Sequence, residues 1–128
     1  MNNIGNVIAP FLTEKLGDKF FKYWIAFLKP IHHLSEREMD IIACFLKHRY
    51  YLSKVISDSK ILNTVLMGES TKKKVREEVG ITSAHFQVIM SKLKRSKIIV
   101  NNEICPKLIP TINDETGTAQ LLLLFQIK

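Results

Sequence analysis

The stretch TKKKVREEVGITSAHFQVIMSKLKRSKIIVN, residues 71–101, decides the fold of this chain. It divides into TKKKVREEV, a three-residue turn GIT, a second long segment SAHFQVIMSKLKRSK and the β-branched run IIVN. In both long segments, apolar residues recur at spacings of three and four, which predicts helices that bury one face. The residues predicted to point inward are Val75, Val79, Ile81, Phe86, Ile89, Met90 and Leu93. The stretch therefore predicts two helices joined by a tight turn and followed by a strand.

The turn between the two predicted helices carries its own signals. Gly80 stands where the first helix must end and the chain reverse, a position that needs the left-handed backbone that glycine tolerates. Thr82 or Ser83 can cap the second helix, because a hydroxyl there accepts a hydrogen bond from an N–H group of the first turn.

Positive charge is concentrated on the same pair of helices. Residues 72–97 contain eight Lys or Arg against Glu77 and Glu78, so the net charge of this window is +6, where the whole chain has +7. A run such as KKK is usually only a solvated helix face. Its coincidence with the turn and the second helix favours binding to a phosphate backbone.

The second helix presents its remaining residues outward. By elimination they are Ser83, Ala84, His85, Gln87, Val88, Ser91 and Lys92. Where such a helix docks in the major groove, its N-terminal part reaches the base edges. Gln87 is the first candidate for base contact, because its amide can offer adenine a donor and an acceptor together, and Ser83 and His85 are less specific candidates. Val88 could touch a thymine methyl group or pack against protein.

Phosphate contacts are assigned to the long cationic side chains, which give affinity without much sequence discrimination. These candidates are Lys72, Lys73, Lys74, Lys92, Lys94, Arg95 and Lys97.

The composition after Lys97 changes to that of short strands. The runs IIV and EIC predict a hairpin whose turn is Asn101 and Asn102, because asparagine tolerates positive φ. Two prolines further along interrupt the pairing. We expect TINDETGT, residues 111–118, to be a loop, and AQLLLLFQIK, residues 119–128, to form a final strand returning beside residues 98–100.

Residues 1–34 precede this region, and we expect an arm in residues 1–12 followed by a helix or a strand. Residues 13–28 have apolar side chains at helical spacing, but their aromatic density also suits a strand. We take residues 35–128 as the main domain.

That domain begins with two more predicted helices. Ser35 and Glu38 form a capping box at the start of a helix that should end near Arg49. A short helix is predicted between Ser57 and Gly68.

Composition and motifs exclude several classes of protein. The chain has 46% hydrophobic and 24% charged residues, the balance of a soluble globular protein. No apolar run, residues 121–125 included, is long enough to cross a membrane. No secretory signal is recognised, so a cytoplasmic location is expected. We expect no enzyme activity, since no Gly-rich phosphate loop, G-x-S-x-G or H-E-x-x-H occurs, although a catalytic set assembled from distant residues leaves no such motif.

The metal-binding residue types give no sequence motif. His32 and His33 lack a cysteine or acidic partner at metal-ligand spacing, so no metal and no cofactor are expected. Cys44 and Cys105 are predicted to be buried free thiols, because they are too few and too far apart for a disulfide framework.

The run TKKKVREEVGITSAHFQVIMSKLKRSKIIVNN resembles the winged helix-turn-helix superfamily, in which a helix, a G-I-[ST] turn, a second helix ending in L-x-x-x-x-I-I and a β-hairpin follow one another. Among its subfamilies it is most similar to RepL-type plasmid replication initiators and MarR-type regulators, but the leading arm and the ending KLIPTINDETGTAQLLLLFQIK depart from both. The resemblance implies a mainly α fold with a small β-sheet. It also implies that Ser83, His85 and Gln87 face the major groove and that Asn101 and Asn102 approach the backbone or minor groove.

Two functions from different classes follow from this resemblance. The first is a double-stranded-DNA-binding protein acting in transcription or replication control, encoded by a phage or plasmid. The alternative is a structural or assembly component of a phage particle that uses the fold as a protein–protein adaptor, and its location would be the virion. The apolar ends, IAPFL and LLLLF, predict a homo-oligomer or a protein partner.

Overall fold

The computed structural model describes residues 19–121 and 126–127. The predicted arm, residues 1–12, and residues 122–125 and 128 of the predicted final strand lie outside these residues. The described part is mainly helical with two small antiparallel hairpins, which confirms the predicted α+β class. Its α-helices are α1 Phe20–Phe27, α2 Lys29–His32, α3 Glu36–Ser53, α4 Ser59–Leu66, α5 Glu69–Val79 and α6 Ser83–Arg95. Its strands are β1 Ile99–Val100, β2 Glu103–Ile104, β3 Thr111–Asn113 and β4 Thr118–Gln120.

Helix α3 is the centre of the core. Ser35 caps it as predicted: its Oγ accepts from the Glu38 N–H at 3.4 Å and donates to the Glu38 carboxylate at 2.9 Å. The six consecutive residues 41–46 are all buried, so α3 is covered on every side in this stretch. The helix continues four residues beyond the predicted end at Arg49, because Tyr50 and Leu52 still pack against the core.

Residues 20–27, for which the sequence predicts either a helix or a strand, form the helix α1. Its buried residues Phe21 and Ile25 belong to the same core cluster as α3, α5 and α6. The indole Nε1 of Trp24 donates a hydrogen bond of 2.8 Å to the carbonyl oxygen of Leu108, 84 residues along the chain. Residues 20–34 therefore share the hydrophobic core of the residues that follow them.

The predicted helix, turn and helix of residues 71–101 are confirmed. Gly80 ends α5 in the left-handed conformation, with φ 76° and ψ 45°. Thr82 caps α6 by accepting from the His85 N–H at 3.1 Å. The residues predicted to point inward are buried or half-buried, and Phe86 packs on Phe45 of α3 with ring centroids 6.4 Å apart. These contacts fix α6 against the centre of the core.

The predicted hairpin after α6 is also confirmed. Strands β1 and β2 pair antiparallel, with Ile99 opposite Ile104. Asn101 and Asn102 both have positive φ, 54° and 60°, which is the type I′ turn that suits the twist of a two-residue hairpin.

The C-terminal strand prediction is wrong where the structure describes it. Residues 111–118, expected as a loop, contain β3 and the start of β4, and these strands pair with each other and not with β1. The reason is local: the Asn113 side chain accepts from the N–H groups of Glu115 and Thr116, and Gly117 takes a positive φ of 65°. Such a turn brings two neighbouring strands together at a small cost in loop entropy.

Among the described residues, no helix has the length and apolar character needed to span a membrane.

Candidate nucleic-acid interface

The N-terminal half of α6 presents the three candidate base-contact residues. Ser83, His85 and Gln87 are all exposed, while Phe86 between them is buried. The first turn of α6 contains no acidic residue, so the positive end of the helix dipole is not neutralised there. Backbone N–H groups in that position favour a phosphate. Val88 is 51% exposed and therefore lies outside the core that residues 19–121 form.

The last turn of α6 is basic. Lys92, Lys94 and Arg95 are exposed, and all lie within the final four residues of the helix. Cations at a helix C-terminus also stabilise the helix by interacting with its dipole, by about 0.3–1 kcal/mol each. The charges thus have a structural benefit as well as the capacity to bind phosphates.

Lys97 occupies an unusual backbone position directly after α6. Its φ is 63°, the left-handed region that favours glycine. The Lys97 N–H donates to the Lys94 carbonyl at 3.2 Å, and the Ile98 N–H donates to the Leu93 carbonyl at 3.0 Å. This is the hydrogen-bonding pattern of a helix end that usually has glycine at its left-handed residue.

An open groove separates the end of α6 from the hairpin. Its lining residues are Lys94, Lys97, Ile99, Val100, Asn101 and Asn102. The structure therefore brings two of the predicted phosphate contacts together with both predicted wing residues. The remaining candidates on α5 do not line this groove: Lys73 and Lys74 are exposed, and Lys72 is half-buried.

Two acidic residues, one in the hairpin and one in α5, are engaged by other parts of the fold. Glu103, next to the hairpin turn, accepts a hydrogen bond of 3.1 Å from the Asn63 side chain of α4. Glu78 of α5 forms an ion pair of 3.2 Å with Lys47 of α3. These contacts hold both carboxylates toward the helical scaffold, which leaves the cations of α6 to set the charge of its exposed face.

Glu78 also belongs to a polar cluster that the sequence did not predict. Its Oε2 accepts a hydrogen bond of 2.8 Å from the Cys44 thiol and lies 3.0 Å from Nε2 of His48. Cys44 and His48 are four residues apart on α3 and therefore share a face. That C-x-x-x-H spacing was the available signal, but the third member comes from another helix 30 residues away. Cys44 and Cys105 are free thiols, as predicted, but only Cys44 is buried, and Cys105 is half-buried.

The cluster shifts the pKa values of two of its members in opposite directions. Burial raises the pKa of the Cys44 thiol, and its hydrogen bond to the Glu78 carboxylate raises it further, to about 12. Burial also acts to raise the pKa of Glu78, but hydrogen bonds from Cys44, His48 and Lys47 outweigh it and lower that pKa to about 2. At neutral pH a protonated thiol therefore donates to an ionised carboxylate.

No protein-family model matches the chain, and comparisons with curated proteins and with solved structures found no significant match.

Proposed function

We propose that this chain is a double-stranded-DNA-binding protein of the winged helix-turn-helix type that acts in transcription or replication control. The observation that carries the proposal is the exposed face of α6, which has polar side chains at its N-terminal end and three cations in its last turn. A helix docked in a major groove needs both, because base edges give specificity and phosphates give affinity and register.

Each part of the surface has a separate role in this proposal. Gln87 hydrogen-bonds an adenine edge, and Ser83 and His85 contact neighbouring bases or phosphate. The seven predicted cationic contacts on α5, on α6 and after α6 bind the backbone. The hairpin turn at Asn101 and Asn102 approaches the backbone or minor groove beside the docked helix. The protein acts as a homo-oligomer in the cytoplasm, where its DNA is.

Selection from random duplex DNA, followed by fluorescence anisotropy across a salt series, tests the proposal. We expect an enriched motif and an affinity that falls steeply with salt, with a log–log slope of about −0.9 per phosphate neutralised. Gln87→Ala should reduce the discrimination against a wrong base at one position by about 1–3 kcal/mol. Lys73→Ala should weaken all sequences alike. If wild-type protein binds no duplex even at low salt, the proposal is wrong.

The backbone of Lys97 gives a prediction that separates stability from binding. Lys97→Gly should raise the free energy of unfolding by about 1 kcal/mol, because glycine adopts a positive φ without the strain that a side chain causes. The same change should weaken duplex binding by roughly a factor of ten at 0.1 M salt, because one phosphate is no longer neutralised. Chemical denaturation and anisotropy measure the two effects, and a variant that gains stability with unchanged affinity would remove Lys97 from the interface.

A second candidate function has its own supporting observation. Tyr23, Phe27 and Ile31 follow one another at a spacing of four along α1 and α2 and are 55%, 67% and 53% exposed. An exposed apolar stripe of this kind suits a protein partner, as in a phage particle whose components assemble through such faces. This second role is favoured over DNA binding if Phe27→Ser abolishes self-association while neither Gln87→Ala nor Lys73→Ala alters the affinity for DNA.

A further inference from the structure

The cluster between α3 and α5 brings together three side chains that ligate transition metals. Cys44 and His48 extend from one face of α3, and Glu78 meets them from the last turn of α5. The Cys44 thiol sulfur, a ring nitrogen of His48 and a carboxylate oxygen of Glu78 all lie within 4.8 Å of one another. One thiol, one imidazole and one carboxylate therefore converge on a single point from two helices.

The two spacings to the Glu78 carboxylate are close to those of a zinc site. Zinc bonds of about 2.0–2.3 Å at tetrahedral angles place neighbouring ligand atoms roughly 3.4–3.7 Å apart. The contacts here are 2.8 Å from sulfur to Glu78 Oε2 and 3.0 Å from His48 Nε2 to the same oxygen. The carboxylate thus has to retreat by less than about 1 Å to admit the ion. The Glu78 side chain is 41% exposed, so it has room to move.

The donor set also selects the class of metal. A thiolate and an imidazole are soft or borderline ligands that favour Zn²⁺ and its neighbours over Mg²⁺ or Ca²⁺. Three protein ligands leave a fourth position for water, on the side where Glu78 is exposed. The Lys47 ammonium, 3.2 Å from Glu78 Oε2, repels an incoming cation and has to turn away when the metal binds.

We propose that Cys44, His48 and Glu78 form a binding site for Zn²⁺ that links α5, the first helix of the helix-turn-helix pair, to the central helix α3. Metal binding replaces the thiol proton, which is released to solvent, and exchanges three hydrogen-bonded contacts for three metal–ligand bonds. The site lies on the scaffold side of α5, so the proposal does not depend on whether the chain binds DNA.

The test uses the full chain with Cys105→Ser, so that Cys44 is the only thiol. We expect Co²⁺ to produce the near-ultraviolet charge-transfer band of a cobalt–thiolate bond with a stoichiometry of one. Zn²⁺ should displace the cobalt and raise the melting temperature. His48→Gln and Glu78→Gln should each weaken zinc binding by at least about tenfold, and Cys44→Ser should abolish the cobalt–thiolate band.

Lys47→Gln separates a metal site from a hydrogen-bonded cluster that only joins the helices. If zinc occupies this position, removing the competing Lys47 ammonium should tighten zinc binding several-fold. If the cluster only joins the helices, loss of the ion pair should not increase the affinity for zinc. The proposal is overturned if no cobalt–thiolate band forms in the Cys105→Ser protein, or if His48→Gln binds zinc as tightly as the parent. Should Cys44→Ser fail to fold, the His48 and Lys47 variants decide the question by themselves.

Discussion

Phe86→Ala is expected to destabilise the protein by about 3–5 kcal/mol, the usual cost of truncating a buried phenylalanine. Phe86 is only 2% exposed and packs on Phe45 of α3, whose side chain is fully buried. The change leaves a cavity between α6 and α3 and removes an aromatic pair. Single domains have a total stability of about 5–15 kcal/mol, so this loss is a large part of it. Urea denaturation followed by circular dichroism measures the effect.

Gln87→Ala is the matched control for this change. Gln87 is the next residue on α6 and is exposed, so the free energy of unfolding should change by less than about 0.5 kcal/mol. Phe86→Leu should fall between the two, because leucine fills most of the cavity. If Phe86→Ala costs no more than Gln87→Ala, the packing described for α6 is incorrect.

Replacing Lys92, Lys94 and Arg95 together by alanine should lower duplex affinity by up to roughly 500-fold at 0.1 M salt, with the log–log salt slope reduced by up to about 2.7, or about 0.9 for each phosphate that is no longer neutralised. All three side chains are exposed and lie in the last turn of α6. Alanine is the best helix former, so the helix itself should persist. Fluorescence anisotropy at several salt concentrations measures both quantities.

The control for the triple variant removes the same charge from other parts of the chain. Lys22, Lys29 and Lys107 are exposed and lie in α1, in α2 and in the 3-10 helix Pro106–Leu108. Their joint replacement by alanine should leave most of the affinity and salt slope in place. An equal drop in affinity in both triple variants would mean that only net charge matters, and the assignment of α6 as the docking helix would then be wrong.

The elements that the sequence predicted well are those specified by neighbouring residues. The capping box at Ser35, the left-handed Gly80 and the Asn101–Asn102 turn all depend on contacts within four residues. In each case one residue type satisfies a local backbone requirement that few others meet. The buried and exposed faces of α6 could likewise be predicted, because the helical period alone determines which residues share a side.

Features that depend on distant residues are predicted less well, and one local feature is also missed. The pairing of β3 with β4 depends on neighbouring residues, but the sequence prediction of a loop overlooks the turn made by Asn113 and Gly117. The contact of Cys44 and His48 with Glu78 joins two helices, and no period or spacing within α3 indicates which residue of α5 will face it. The predicted end of α3 near Arg49 is four residues too early, and the contact of Tyr50 with Phe21 of α1 shows the packing that extends the helix.

The hydrogen bond from Trp24 to Leu108 has a practical consequence. Trp24 is the single tryptophan of the sequence. Its partner Leu108 comes after α5, α6 and the β1–β2 hairpin in the chain. The wavelength of the indole emission maximum depends on how far that ring is shielded from water. Ultraviolet-excited fluorescence of the unlabelled protein therefore signals whether the segment around Leu108 is docked on α1. Truncated versions of the chain can be ranked by it without any added dye.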